Sequence, residues 1–171
     1  SVTITITENE SSPTITLTSS ASSIAENAGT SLTLTATSSI VADEDITVTI
    51  STSGTGTEGT DYSTISDITI SAGATTGTAS FTPSDDSVYE GNETGIVAIS
   101  GVSGADAAES GSQSVTITIN DNDSNPTVTL TTSANSIAEN SGSSLTLTAT
   151  LSRATYQDVT VVLAGASTAL E

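Results

Sequence analysis

Most acidic side chains of this chain stand in short groups at points where strands are expected to end. The carboxylates concerned are Glu26, Asp61, Asp85, Asp86, Glu90, Glu93, Asp121 and Asp123. Like charges gathered in this way repel one another strongly unless a cation lies among them. Calcium accepts about six to eight oxygen ligands in irregular geometry. The residue types and their grouping therefore predict a site for a hard divalent cation, with Ca²⁺ as the best fit.

The rest of the composition excludes most other chemistry. The chain has 171 residues and a net charge of −19, and its one basic side chain is Arg153, so nucleic acid and anionic membranes would be repelled. It contains no cysteine and no histidine, which rules out disulfides, thiolate or imidazole metal sites and the commonest general base. Asp86 and Glu90 could imitate a glycosidase pair. With no tryptophan and very few aromatic residues to hold a sugar, we predict that the protein is not an enzyme.

A long segment of the sequence occurs twice. Residues 1–37 return as residues 114–150 at an offset of 113 positions, and 28 of the 37 residues are identical. Identity of this extent indicates tandem duplication. The predicted organisation is the last strand of a preceding repeat in 1–12, a complete domain in 13–125, and the first strands of an incomplete repeat in 126–169. Leu170-Glu171 departs from the repeat and is interpreted as a cloning scar.

The elements that must position the carboxylates are short strands. Apolar and polar residues alternate with a period of two, as in Val2-Thr-Ile-Thr-Ile6 and Leu32-Thr-Leu-Thr-Ala36, which is typical of half-buried strands. Turn-rich segments separate seven such stretches. They lie near residues 14–18, 31–37, 45–52, 67–71, 77–81, 96–100 and 114–120. Strands without an intervening helical pattern predict an all-β, two-sheet antiparallel β-sandwich.

The alternation also predicts an aliphatic core, thin but adequate for roughly 100 residues. The expected inward-facing residues are Ile15, Leu17, Ile24, Leu32, Leu34, Ile46, Val48, Ile68, Ile70, Phe81, Val97, Ile99, Val115, Ile117 and Ile119. Tyr62 is expected to be a half-buried packing residue. The incomplete repeat has counterparts of the first three strands alone, so its apolar face is expected to lack a partner sheet.

Three acidic segments resemble, in order, the Calx-β family. They are Gly59-Thr-Asp-Tyr62, Ser84-Asp-Asp-Ser-Val-Tyr-Glu-Gly-Asn-Glu-Thr94 and Val115-Thr-Ile-Thr-Ile-Asn-Asp-Asn-Asp123. The resemblance covers residues 13–123. It implies an immunoglobulin-like sandwich that binds Ca²⁺ at one end, with all eight carboxylates named above at ligand positions of the family. The sequence departs from the family pattern at Asn122, at Ser87 and at Gly95, where an aromatic residue is usual and a weaker core is expected.

These observations predict a calcium-binding structural repeat of a long secreted or cell-surface protein, interpreted as a bacterial adhesin. Its partners would be the neighbouring repeats of the same chain. Calcium would neutralise the carboxylates and fix the joint at Ser124-Asn-Pro126. Without calcium, repulsion between the carboxylates would loosen the loops and the joint. No apolar run is long enough to predict membrane insertion.

Other functions remain open at this point. The repeat could itself bind a host glycan, a protein or another surface ligand, which would require an exposed aromatic or apolar patch. An intracellular calcium sensor would require a second conformational state. Thr-x-Thr runs such as Thr14-Ile-Thr-Leu-Thr18 also resemble ice-binding faces, although the outward side of a twisted strand has the same pattern.

Overall fold

The computed structural model describes residues 1–5 and 11–165, and the regular secondary structure there consists of strands alone. The strands are β1 (Thr14–Ser19), β2 (Ser23–Ala25), β3 (Leu32–Ser38), β4 (Ile46–Gly54), β5 (Ile68–Ile70), β6 (Thr76–Phe81), β7 (Glu93–Ser103), β8 (Ala108–Glu109), β9 (Ser114–Asn120), β10 (Val128–Thr132) and β11 (Leu147–Leu151). None of the residues in these two ranges forms a helix long and apolar enough to cross a membrane. Contacts divide the chain into two compact units. The first comprises Ser1–Asp86 and Asn92–Asn122, and the second Ser87–Gly91 and Asp123–Glu171.

The first unit contains two sheets, which confirms the predicted sandwich. One sheet has the strand order β6-β3-β1-β8 and the other the order β2-β9-β7-β4-β5. Most neighbours are antiparallel, but β1 pairs with β8 and β2 pairs with β9 in parallel. The first part of the chain contributes strands to both sheets. The chain runs along one sheet as β1 and then joins the other as β2, beside the last strand of the unit.

Side chains from both sheets form one core in the first unit. All the predicted core residues are buried except Leu32 and Val115, which are partly buried. Three further hydrophobic residues, Ala36, Tyr62 and Ile65, are buried as well. Tyr62 is therefore a core residue and not the half-buried one that was predicted. Its ring stacks on that of Phe81, with ring centroids 4.6 Å apart.

Gly95 explains how the core does without the aromatic residue that the family pattern has at this position. A Cβ atom at Gly95 would lie 2.7 Å from Cε2 of Phe81 and 3.5 Å from Cε1 of Tyr62. The missing side chain is thus replaced by the stacked rings of two other residues. The expectation of a weaker core at Gly95 is wrong, because close packing is maintained there.

Two strands were absent from the sequence prediction, and one is longer than predicted. β2 and β8 have three and two residues, too few for an alternating pattern to be visible. β7 extends beyond the predicted 96–100 to Glu93–Ser103. Its pairing with β4 contains a register shift between Thr49 and Ile50, where the Asp67 carboxylate accepts the Ile50 N–H at 2.9 Å. The extra residue at this bulge is Ser100 of β7, whereas Asp67 lies just before β5, on the other side of β4.

The second unit contains a hairpin built like the first one in the chain. β10 pairs with β11 in the register of β1 with β3: Val128 lies opposite Leu151, as Ile15 lies opposite Ser38. The predicted third strand of this repeat is absent from the described residues, which end at 165. The apolar residues of the hairpin are exposed, as expected for a sheet without a partner.

Residues 1–5 form no strand, and Val2 and Ile4 are exposed. The other residues of that predicted strand, Ile6 and Thr7, and the final Leu170-Glu171 lie outside the described residues. The repeat period and the domain boundaries remain predictions from the sequence.

Candidate metal centre

Parallel pairing of β2 with β9 places Glu26 beside Asp121. Both strands run in the same direction, so the residues that follow them leave the sheet at the same end. Ala25 lies opposite Asn120, and the Glu26 N–H continues the ladder by donating to the Asn120 carbonyl at 2.9 Å. Carboxylate oxygens of Glu26 and Asp121 consequently lie within 4.8 Å of each other.

Glu26 is the buried member of the site, with 7% of its surface exposed. The Asp86 N–H donates to its Oε1 atom at 3.3 Å, and carboxylate oxygens of the two residues lie within 4.8 Å. Burial raises the pKa of the Glu26 carboxyl above its ordinary value. The Asp86 N–H opposes that shift, and the negative charges of Asp86, Asp121 and Asp85 add to it. A positive charge nearby would therefore stabilise the ionised form of Glu26.

A second pair of carboxylates, Asp61 and Glu93, has oxygens within 4.8 Å of each other. Asp61 closes a turn whose Thr57 N–H donates to its Oδ2 atom at 2.6 Å, and the turn passes through Gly59 at φ +85°. Glu93 begins β7, opposite Ile119 of β9. Asp61 is thus held by the turn that precedes it, and Glu93 is held by the strand that it begins.

Tyr62 attaches the Asp61 turn to the loop that leads to Asp85 and Asp86. Its backbone forms an antiparallel bridge with Pro83, and the Ser84 N–H donates to the Asp61 carbonyl at 2.9 Å. Because the Tyr62 ring is buried against Phe81, this connection is anchored in the core. Burial of the Tyr62 side chain raises the pKa of its hydroxyl.

Six of the eight predicted carboxylates belong to the first unit, where Glu26 lies close to Asp86 and Asp121, and Asp61 lies close to Glu93. We call Glu26, Asp61, Asp85, Asp86, Glu93 and Asp121 the carboxylate cluster; Asp85 belongs to it through its charge on Glu26. Glu90 and Asp123, the other two, belong to the second unit. There Asp123 forms an ion pair with Arg153 at 2.5 Å.

Sequence analysis missed two polar residues with defined roles near these acids. Asn92 accepts the Asp121 N–H with its side-chain oxygen at 3.2 Å, which orients the chain as it leaves β9. Glu58 accepts hydrogen bonds from the Thr52 hydroxyl at 2.6 Å and the Ile65 N–H at 2.7 Å, so it is a structural acid outside the cluster. In the sequence, a structural role for Glu58 was indicated by its position in the turn-rich segment just before Asp61.

The donor chemistry of the cluster fits a hard cation. Its side chains offer carboxylate oxygens alone, the ligands that Ca²⁺ prefers. The one basic side chain of the protein is Arg153, and there is no histidine, so no side chain of the first unit can supply a positive charge.

Comparison with known proteins agrees with this architecture. The family model described as Calx-beta domain matches residues 8–123. The crystal structure of the apo-form Calx CBD1 domain has a TM-score of 0.53 at 19% identity, covering 64% of this chain and 99% of that one. The crystal structure of CBD12 from CALX1.2 has a TM-score of 0.52 at 18% identity, covering 62% of this chain and 44% of that one. No match was found among curated proteins.

At these identities the solved structures establish the fold alone, whereas the family model spans more than half of the chain. The chain therefore belongs to the Calx-beta domain family, as its acidic segments predicted.

Proposed function

We propose that this domain binds Ca²⁺ at the carboxylate cluster and acts as a binding and structural module. One observation is central to the proposal. Glu26 is buried, two further carboxylates have oxygens within 4.8 Å of its own, and no basic side chain exists in the first unit. Membership of the Calx-beta family supports calcium as the cation. Glu90 and Asp123 remain ligand candidates from the sequence.

Carboxylate side chains of the first unit would provide ligands for the cation. Glu26 and Asp121 present their oxygens at the ends of two paired strands, while Asp61 and Glu93 present theirs from a turn and a strand start. Bound calcium would supply the charge that removes their mutual repulsion. The bridge between Tyr62 and Pro83 would then connect the ordered loops to the core. In a chelator, repulsion among the same carboxylates would loosen these loops.

Calorimetric titration of the full chain, together with thermal melts, tests the proposal. Calcium at about 100 times its dissociation constant should stabilise the folded state by about 2.7 kcal/mol. Magnesium should stabilise it much less, because it requires near-octahedral geometry and gives up its water reluctantly. Equal melting temperatures in calcium and in chelator would refute calcium binding.

Single substitutions separate metal binding from folding. Asp86→Asn and Glu90→Gln should each weaken calcium binding and leave the calcium-free fold almost unchanged, since removing a charge relieves repulsion. Asp43→Asn is the matched control, because Asp43 is exposed and lies outside the cluster. Loss of stability in chelator for Asp86→Asn would mean that this acid has a structural role instead.

We further propose that the domain is one repeat of a long secreted or cell-surface adhesin, in which calcium stiffens the joints between repeats. The recurrence of residues 1–37 at 114–150 supports a repeat array, and arrays commonly provide length and multivalency. NMR relaxation of the full chain tests the stiffening. Calcium should lengthen the rotational correlation time of residues 127–152 toward that of 14–38, and an unchanged value would contradict it.

A further inference from the structure

The first unit has an open groove of about 990 Å³ at the end of the sandwich where β3 leads into β4. Its apolar lining residues are Pro13, Ile40, Val41, Ala42, Val102, Ala105 and Ala107. Val41 is 58% exposed, and Ile40 is exposed as well. Asp43, Glu44 and Asp106 also line the groove. The lining is mostly polar, and within it Ile40 and Val41 are neighbouring apolar side chains that remain exposed.

One wall of the groove is a turn in a disfavoured conformation. Ala105 and Asp106 have φ values of 53° and 51°, and the Ala107 N–H closes the turn on the Gly104 carbonyl at 3.0 Å. Two consecutive positive φ values define a type I′ turn, which Asn-Gly ordinarily adopts with less strain than Ala-Asp. Such strain is typically retained where the surrounding surface has a function.

The loop on the other wall, residues 40–43, has a counterpart in the second unit at residues 153–156. The sequences align without a gap, because Asp45-Ile-Thr-Val48 returns as Asp158-Val-Thr-Val161. An equivalent hydrogen bond, from a threonine N–H to a serine hydroxyl, also precedes each loop. Thr14 N–H donates to Ser39 Oγ at 3.0 Å, and Thr127 N–H donates to Ser152 Oγ at 2.9 Å.

In the second unit this loop is occupied. The segment Ser87–Gly91 lies along it, with Tyr89 and Thr155 forming a parallel bridge. The Tyr89 N–H donates to the Ala154 carbonyl at 3.4 Å, and the Tyr156 N–H donates to the Tyr89 carbonyl at 3.3 Å. The Thr155 hydroxyl donates to the same carbonyl at 3.1 Å. Two of these three bonds join backbone to backbone, so they do not depend on the side chains of the loop.

We propose that loop 40–43 and its groove receive the Ser87–Gly91 segment of a second copy of this repeat. The Val41 carbonyl and the Asp43 N–H would take the places of the Ala154 carbonyl and the Tyr156 N–H. The groove would add apolar contacts from Ile40 and Val41. Ile40 stands where the second unit has Arg153, so this joint forms without the ion pair that Arg153 makes with Asp123. The two backbone hydrogen bonds of this joint involve no carboxylate oxygen, so the joint can be tested in chelator.

Disulfide trapping between two full-length chains tests the proposal, because the protein has no cysteine of its own. One chain carries Val88→Cys, together with Tyr156→Pro, which removes the N–H that holds Tyr89 in the same molecule. The other chain carries Val41→Cys, the position that the parallel register places opposite Val88. Both are mixed in chelator under mild oxidation. The mixed disulfide should form at least about tenfold faster than with Thr116→Cys, an exposed position on β9.

A second pair of variants tests the backbone contact. In the Val41→Cys chain, Asp43→Pro removes the proposed donor and should reduce the rate to that of Thr116→Cys. Asp43→Ala keeps the N–H and should preserve the fast rate. Equal rates at Val41→Cys and Thr116→Cys, or a fast rate that survives Asp43→Pro, would overturn the proposal. A failure to bind calcium would leave this result unchanged, since the reaction is run in chelator.

Discussion

Two hairpins of nearly the same sequence occur in this chain in different surroundings. β1 with β3 and β10 with β11 have the same register, and the serine that follows each hairpin, Ser39 or Ser152, makes the same pair of hydrogen bonds. Their burial differs completely. Leu34 is fully buried, whereas its counterpart Leu147 is 54% exposed. The comparison teaches that local sequence determines the hairpin, while the opposite sheet determines whether its apolar side chains become a core.

The same comparison applies to the acids. Glu26 and Glu139 occupy equivalent positions in identical Ser-Ile-Ala-Glu-Asn segments. Glu26 is buried near Asp86 and Asp121, whereas Glu139 is exposed. Whether a glutamate lies close to other carboxylates therefore depends on the strands around it, and not on the sequence of its own segment.

The largest effect is expected for paired leucine substitutions. Leu34→Ala should destabilise the first unit by roughly 2–5 kcal/mol, because it removes buried methyl groups and leaves a cavity. Leu147→Ala should change stability by less than about 0.5 kcal/mol, since that side chain remains largely in water. Urea unfolding followed through the amide signals of Ile117 and Leu130 reports each unit separately. Similar losses for the two variants would show that the second hairpin is buried in solution.

Gly95→Ala tests whether the first core depends on the stacked rings. The added Cβ would lie 2.7 Å from the Phe81 ring, so it should cost roughly 1–3 kcal/mol through overpacking. Gly101→Ala in the same strand is the matched control. Its Cβ would meet nothing closer than 3.8 Å, so a change within about 0.5 kcal/mol is expected. Equal urea midpoints for the two variants would contradict the packing role of Gly95.

Glu26→Gln and Glu139→Gln compare the two acids directly. Glu26→Gln should weaken calcium binding about tenfold or more, equivalent to about 1.4 kcal/mol, because it removes the buried charge that lies beside Asp86 and Asp121. Glu139→Gln should leave the calcium affinity unchanged. Calorimetric titration of both full chains measures the difference, and a matching loss in the two variants would argue for nonspecific binding to acidic surface.

The smallest loss of stability is expected on removal of the serine hydroxyl that follows each hairpin, and the loss should be equal in the two hairpins. Ser39→Ala and Ser152→Ala each remove a hydroxyl that accepts a threonine N–H, so each should cost about 0.5–1 kcal/mol locally. Hydrogen exchange at the Thr14 and Thr127 amides measures the two losses. A much larger cost at Ser39 than at Ser152 would mean that this bond, too, depends on the surrounding core.

Much of the fold could be predicted from the sequence, because a period of two identifies strands and their inward faces. Ile15, Leu34 and Ile117 were assigned to the core in this way and are fully buried. The edge strands β2 and β8 are too short to show that period. Tyr62 lies in a segment without alternation, so its burial depends on Phe81 and on the room left by Gly95. Such contacts between distant segments have no local signature.

The candidate site was predicted in part. The order of the acidic segments indicated one shared end, and the structure brings Glu26 close to Asp86 and Asp121. The sequence could not show that Asp123 pairs with Arg153, because that contact links residues 30 positions apart in the chain. Whether these acids bind metal remains a prediction for the titrations above.

The parallel pairing of β2 with β9 has a mechanical consequence. Tension along the chain reaches β2 through its N-terminal end and β9 through its C-terminal end. Because the strands are parallel, the two forces act in opposite directions along the shared ladder and load its hydrogen bonds in shear. The bonds from Thr118 to Ser22 and from Glu26 to Asn120, both 2.9 Å, would have to break together and not one after another. Once the pairing of β1 with β3 has opened, rupture of this short ladder should therefore slow the unfolding of a pulled domain.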